Sequence, residues 1–121
     1  MKHIFYADDE PFNLEIVIAY LETDYRIDTA ENGVDCMNWL QSNTPDLILL
    51  DHQMPPPDGL QICQNIKQDN RLKNIPTIIV SGNTDNESQQ NARQLGADDY
   101  LIKPFYEEQL LEMIDKYLSQ R

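Results

Sequence analysis

Four short runs, three of them apolar and one from Asp99 to Ile102, each end on a residue able to do chemistry. Asp8 and Asp9 follow Ile4-Phe5-Tyr6-Ala7, and Asp51 follows Leu47-Ile48-Leu49-Leu50. Ser81 and Gly82 follow Thr77-Ile78-Ile79-Val80, and Lys103 follows the stretch from Asp99 to Ile102. If the runs are neighbouring parallel strands, these residues meet at one edge of a sheet. Two carboxylates ~4 Å apart repel by roughly 4 kcal/mol at an effective dielectric near 20. Three gathered acids therefore call for a counter-ion. Mg²⁺ suits them, because it takes oxygen ligands and keeps waters beside one or two carboxylates. The Ser81 hydroxyl can hydrogen-bond an oxyanion, Gly82 leaves room for a small ligand, and Lys103 is a point charge suited to an anion. Taken singly, each residue has a plainer reading: a helix-capping or turn aspartate, an acid favouring a first helical turn, a turn serine, a solvated lysine. Convergence is what favours the cation-and-anion reading.

The elements that must position these groups are legible as alternating strands and helices. After the first run, Leu14, Val17, Ile18 and Leu21 fall on one face of a helix. Tyr25 to Ala30 alternates as a strand with a more exposed face, and Asn32 can cap a second helix whose inner face is Val34, Met37 and Leu40. The run ending at Leu50 suits a strand covered on both faces. A loop with three successive prolines, Pro55-Pro56-Pro57, precedes Asp58-Gly59 and a third helix marked by Leu60, Cys63 and Ile66. Residues 84–95 have helical length but few apolar groups, mainly Ala92 and Leu95. A last helix from about Tyr106 buries Leu110, Ile114 and Tyr117 or Leu118. Five β-α units predict an α/β fold, a five-stranded parallel sheet flanked by five helices; right-handed crossovers limit it to a few doubly wound orders, and the order expected is 2-1-3-4-5. Ligands in such sheets sit at the carboxyl ends of the strands.

Composition narrows the partners. The chain has 121 residues, one domain's worth, with no repeat or low-complexity segment. Its formal net charge is -12, from 21 acidic and 9 basic residues, which argues against direct nucleic-acid binding and is compatible with a hard cation or a basic protein surface. Cys36 and Cys63 fall in separate helices without zinc-ligand spacing, and are expected as reduced, buried thiols. With no secretory signal pattern and no apolar run of membrane-span length, the expected location is cytoplasmic, with no membrane partner.

The residues in order resemble the receiver domain of two-component response regulators (the CheY-like superfamily) over residues 1–121. The matching motifs are Asp8-Asp9, Leu47-Ile48-Leu49-Leu50-Asp51, Met54-Pro55 through Asp58-Gly59, Ser81-Gly82, and Leu101-Ile102-Lys103-Pro104-Phe105. The resemblance implies that Asp51 is the phosphoacceptor. It implies that Asp8 and Asp9 bind Mg²⁺ with Asp51 and the backbone carbonyl of Gln53, and that Ser81 and Lys103 contact the phosphoryl oxygens. Tyr100 would be the switch aromatic, and Lys103-Pro104 a cis peptide. The donor would be a phosphohistidine on a sensor histidine kinase or phosphotransfer protein. The output would be an effector protein bound through the face formed by the fourth helix, fifth strand and fifth helix. The domain would be a signalling phosphoacceptor rather than an enzyme, limited to self-phosphorylation and slow autodephosphorylation. Ser81 stands where threonine is also common, and Pro57 where the family usually has another residue.

Two other functions compete. A Mg²⁺-dependent phosphohydrolase working through an aspartyl phosphate needs a general acid beside the nucleophile. His52 is the candidate, but strand neighbours point to opposite faces. A flavodoxin-like flavin binder needs a phosphate loop after the first strand, where Asp8-Asp9-Glu10 would repel the cofactor phosphate.

Overall fold

Strands and helices alternate along the whole chain in a computed structural model that describes residues 1–119. The strands are β1 (His3–Ala7), β2 (Arg26–Ala30), β3 (Leu47–Asp51), β4 (Thr77–Ser81) and β5 (Asp99–Ile102). The helices are α1 (Pro11–Leu21), α2 (Gly33–Leu40), α3 (Gly59–Lys67), α4 (Asn86–Gln94) and α5 (Glu107–Leu118). All strand pairs are parallel, in the order β2-β1-β3-β4-β5. Every residue of β3 and β4 is buried, as strands covered on both faces require.

The pleat divides the core in two. Phe5, Ala7, Ile48, Leu50 and Ile79 pack with Cys36 and Leu40 of α2, Ile62, Cys63 and Ile66 of α3, and Ala92 of α4. Ile4, Tyr6, Leu47, Leu49, Ile78 and Val80 pack with Leu14, Val17 and Leu21 of α1 and Leu110, Ile114 and Leu118 of α5. Alternate residues of each strand thus serve opposite helical layers. Each large side chain buried this way contributes about 1.5–3 kcal/mol relative to exposure. Helix starts are fixed locally: the Asn32, Asp58 and Asp85 side chains accept from the backbone N–H groups of Asp35, Gln61 and Ser88. Pro11 opens α1, where its missing N–H has no helical partner to lose.

The structure corrects three details. The inner face of α2 is Gly33, Cys36 and Leu40, with Met37 half-buried and Val34 56% exposed. The helix begins at Gly33 directly against Pro57, whose carbonyl oxygen would lie 2.0 Å from any Cβ added there, so this inward-facing position leaves no room for a side chain. In α3, Ile62 is buried and Leu60 only packs against the core margin. β2 begins at Arg26 and does not alternate cleanly. It is the edge strand with helical cover on parts of both faces, so Ile27, Asp28 and Thr29 are all half-buried. Cys36 and Cys63 are buried and free, and burial pushes their thiols up to about 12 and about 11. Among the described residues no helix is long and apolar enough to cross a membrane.

Candidate functional site

Register brings the acids together. β1 and β3 pair Ala7 with Leu50, so the next residues, Asp8 and Asp51, emerge side by side. β4 and β5 pair Ser81 with Ile102, and the Lys103 N–H donates to the Ser81 carbonyl at 2.8 Å, which places the lysine across the same edge. Lys103 Nζ then donates to Asp51 Oδ1 at 2.9 Å and to Asp8 Oδ2 at 3.0 Å. Asp8 and Asp51 are buried and Asp9 is exposed, yet one carboxylate oxygen from each of the three lies within 4.8 Å of the others. Asp9, Glu10, Asp51, Gln53, Ser81, Gly82 and Lys103 line a cleft of about 430 Å³ that opens above this cluster.

The charges are unevenly balanced. Three carboxylates face a single cation, Lys103, among the residues at the cleft. Burial pushes the Asp51 carboxyl up to about 6, and the negative charge of Asp8 adds to this while Lys103 opposes it. Burial acts the same way on Asp8, but hydrogen bonds from the Tyr6 hydroxyl, the Glu10 N–H and Lys103 prevail and hold it below the usual carboxylate range. Burial works to lower Lys103, and its two carboxylate partners more than offset that, so it is raised. The donor set is all oxygen, anionic and short of positive charge, which is what a hard divalent cation requires. Asp8, Asp9 and Asp51 could hold such an ion, with Gln53 at the cleft wall.

Around this centre the other expected residues fall near one another. Ser81 is buried, and its Oγ accepts from the Asn83 N–H at 3.1 Å. Tyr100, on the face beneath α4, donates its hydroxyl to the Asn83 carbonyl at 3.0 Å. The backbone of Asn83, through its N–H on one side and its carbonyl on the other, thus joins the serine at the cleft to the buried aromatic of β5. A Cβ added at Gly82 would meet nothing within 4 Å, so no protein atom demands glycine there and the space beside the cleft is open. The Lys103-Pro104 peptide is cis, as is Pro56-Pro57. His52 is not among the cleft-lining residues, and its Nδ1 is buried without a hydrogen-bond partner, so it is not placed to serve as an acid beside Asp51.

Two contributors escaped the sequence reading. The Tyr6 hydroxyl donates to Asp8 Oδ2, and Asn13 Nδ2 donates to the same oxygen at 3.3 Å. Tyr6 reads as one more apolar residue of a buried run, although the i, i+2 relation to Asp8 does put both on one face of β1. Asn13 lies in a helical pattern and carries no signal of its own.

Comparison with known proteins agrees with this geometry. The family model described as the response regulator receiver domain matches residues 4–115. The polar-differentiation response regulator DivK of Brucella anthropi is 29% identical over 119 residues, spanning 98% of this chain and 97% of DivK. Response regulator ArlR of Staphylococcus aureus is 33% identical over 123 residues, covering 100% of this chain and 54% of ArlR. The chain likewise spans only 51% of response regulator Rre1 of Synechocystis, about half the length of several curated relatives it matches. Among solved structures, the receiver domain of sensor histidine kinase PA1611 from Pseudomonas aeruginosa, with magnesium coordinated in its active-site cleft, superposes with a TM-score of 0.89. It is 25% identical, covering 98% of each chain. The BeF3-activated DrrB receiver domain gives a TM-score of 0.89 at 31% identity, again covering 98% of each. The chain belongs to the response regulator receiver domain family of two-component signalling, with the receiver fold.

Proposed function

We propose that residues 1–121 form one receiver domain in which Asp51 accepts a phosphoryl group from a phosphohistidine on a sensor histidine kinase or phosphotransfer protein. A carboxylate oxygen of Asp51 attacks phosphorus, the P–O bond forms as the P–N bond breaks, and the bonding pair leaves with the imidazole nitrogen. The product is an acyl phosphate on Asp51. Charge spreads over the equatorial phosphoryl oxygens during transfer, so catalysis is mostly positioning and cationic stabilisation. Asp8, Asp9, Asp51 and the Gln53 carbonyl would hold Mg²⁺, which when bound neutralises part of that charge. Lys103 and the Ser81 hydroxyl would take the remaining oxygens. The observation that carries this reading is the lysine bridging Asp51 and Asp8 at the mouth of an acid-rich cleft.

The same reading makes the protein a signalling module rather than a turnover enzyme, acting in the cytoplasm without direct nucleic-acid contact. Occupancy of Asp51 is relayed through Ser81, Asn83 and Tyr100 to α4, whose only buried side chain is Ala92. A helix with so little core opens at low free energy and can be re-seated for an effector on the α4-β5-α5 face. Mass spectrometry after incubation with Mg²⁺ and acetyl phosphate should show a single phosphoryl adduct, absent in Asp51→Ala; equal labelling of that variant refutes the assignment. Hydrogen exchange across residues 82–106 should differ between free and beryllofluoride-bound protein, and identical protection with Asp51 occupied would remove the relay.

A further inference from the structure

The Asp8 carboxylate is wholly buried and has donors on both oxygens. Its Oδ1 accepts from the Glu10 N–H at 2.9 Å. Its Oδ2 accepts from Lys103 at 3.0 Å, from Asn13 at 3.3 Å and from the Tyr6 hydroxyl. Lys103 is divided, because the same Nζ lies 2.9 Å from Asp51. A phosphoryl group on Asp51 adds anionic oxygens where Lys103 is the one cationic side chain lining the cleft among the described residues. The ammonium has a third N–H for those oxygens, but the more it turns to them the less of its charge is left for Asp8. A buried carboxylate that loses its charged partner is strongly disfavoured unless other donors remain. The Mg²⁺ that Asp8 would help to hold takes part of its charge, and the rest of the demand on Oδ2 falls on its neutral donors.

Tyr6 is one of these donors. Its side chain is fully buried in the core cluster that the sheet forms with α1 and α5, which holds the hydroxyl beside Asp8. Tyr6 and Asp8 share one face of β1, so the donor is delivered by the strand itself and does not depend on a loop. Asn13 donates to the same oxygen from α1 at longer range and from a partly exposed position.

We propose that Tyr6 is a positioning residue for the acceptor site: its hydroxyl keeps Asp8 satisfied and in place when Lys103 is drawn to the phosphoryl group on Asp51. The proposal rests on the phosphoacceptor reading above. Beryllofluoride titrations at saturating Mg²⁺ test it as a double-mutant cycle, with Tyr6→Phe, Lys103→Met and the double variant. Tyr6→Phe should weaken the adduct about tenfold, the scale of losing one hydrogen bond to a charged group. With Lys103→Met there is no lysine to release, so Tyr6→Phe should then change the adduct by less than about twofold on the same scale. An equal loss in both backgrounds means the hydroxyl serves only packing and overturns the proposal. A wild-type measurement guards against a variant that fails to fold. The Tyr6 hydroxyl proton, shielded in the core, should be visible by NMR and should move downfield when the adduct forms, as Tyr6 takes a larger share of the Asp8 charge. An unmoved resonance in a protein that has formed the adduct overturns the proposal while leaving the phosphoacceptor reading intact. A wild-type protein that forms no adduct refutes the phosphoacceptor reading itself, and this inference with it.

Discussion

β5 has an acid-rich cluster at each end, and the two are built in opposite ways. At its start, Asp99 is nearly buried and accepts from Arg93 at 3.3 Å, Lys116 at 3.1 Å, the Tyr117 hydroxyl at 2.7 Å and the Tyr100 N–H at 2.9 Å. Beside it Asp98 accepts from Lys67 and from the Thr77 N–H, each at 2.8 Å. Two acids there have three cations. Just past its other end, among the described residues, three acids gather around one cation, Lys103, which pairs with Asp8 and Asp51. The balanced cluster ties α3, α4, β4 and α5 to the sheet and leaves nothing for a ligand to satisfy. The unbalanced one stores repulsion that a cation can relieve. Clustered acids alone do not distinguish a structural site from a functional one; the deficit of positive charge does.

The sharpest break between the two ends should come from adding Mg²⁺. A cation that binds only the folded state stabilises it by RT ln(1 + [L]/Kd), about 2.7 kcal/mol at a hundredfold excess over Kd. Thermal unfolding of the wild-type protein should shift upward with Mg²⁺ concentration. Asp9→Asn should lose that shift and, without metal, be no less stable than wild type, because one repulsive charge is gone. A full Mg²⁺ response in Asp9→Asn would remove Asp9 from the site.

At the balanced end the same substitution should have the opposite sign. Asp99→Asn should destabilise the protein by about 1–3 kcal/mol, the cost of leaving buried donors without their charged acceptor. Little of this comes from Arg93 and Lys116, whose side chains are half exposed or more and therefore screened. The pH dependence follows. Burial works to raise Asp99, but the Tyr117 hydroxyl, the Tyr100 N–H and Lys116 prevail and hold it below its usual 3.8. A depressed folded-state value contributes stability that is present above the unfolded value and lost as pH falls through the folded one. Chemical unfolding from about pH 5 down to about pH 3 should show a shallower acid loss in Asp99→Asn than in wild type. Parallel curves would mean that Asp99 does not carry this dependence.

The smallest effect belongs to Gly82. With open space where a Cβ would go, Gly82→Ala should change stability by no more than about 0.5 kcal/mol. A larger loss in urea unfolding would show that the β4-α4 turn needs glycine after all, and would blunt the contrast between an open cleft and a filled one.

Much of this was decided by local pattern. Runs such as Leu47 to Leu50 and Thr77 to Val80 are apolar without interruption, which specifies buried parallel strands, and the residue after each run must then lie at a sheet edge. Asp8, Asp9, Asp51, Ser81 and Lys103 are therefore legible from spacing alone, while right-handed crossovers narrow the strand order to a few, of which the fold adopts β2-β1-β3-β4-β5. Tertiary structure decided what depends on contact between distant segments. The phase of α2 puts Gly33 against Pro57 and Cys36 inward and turns Val34 outward, a packing between distant segments that the local pattern does not show. Which acids are neutralised is equally non-local: Lys67 reaches Asp98 and Lys116 reaches Asp99 from helices, while among the described residues Lys103 is the one cation that reaches the cleft. Tyr6 is the clearest case. Hydropathy marks it as core and its ring is core, but whether a buried hydroxyl finds a carboxylate depends on the rotamers of two side chains packed by α1 and α5. Periodicity carries no information about that, because it records which face a residue occupies and not which atom meets it there.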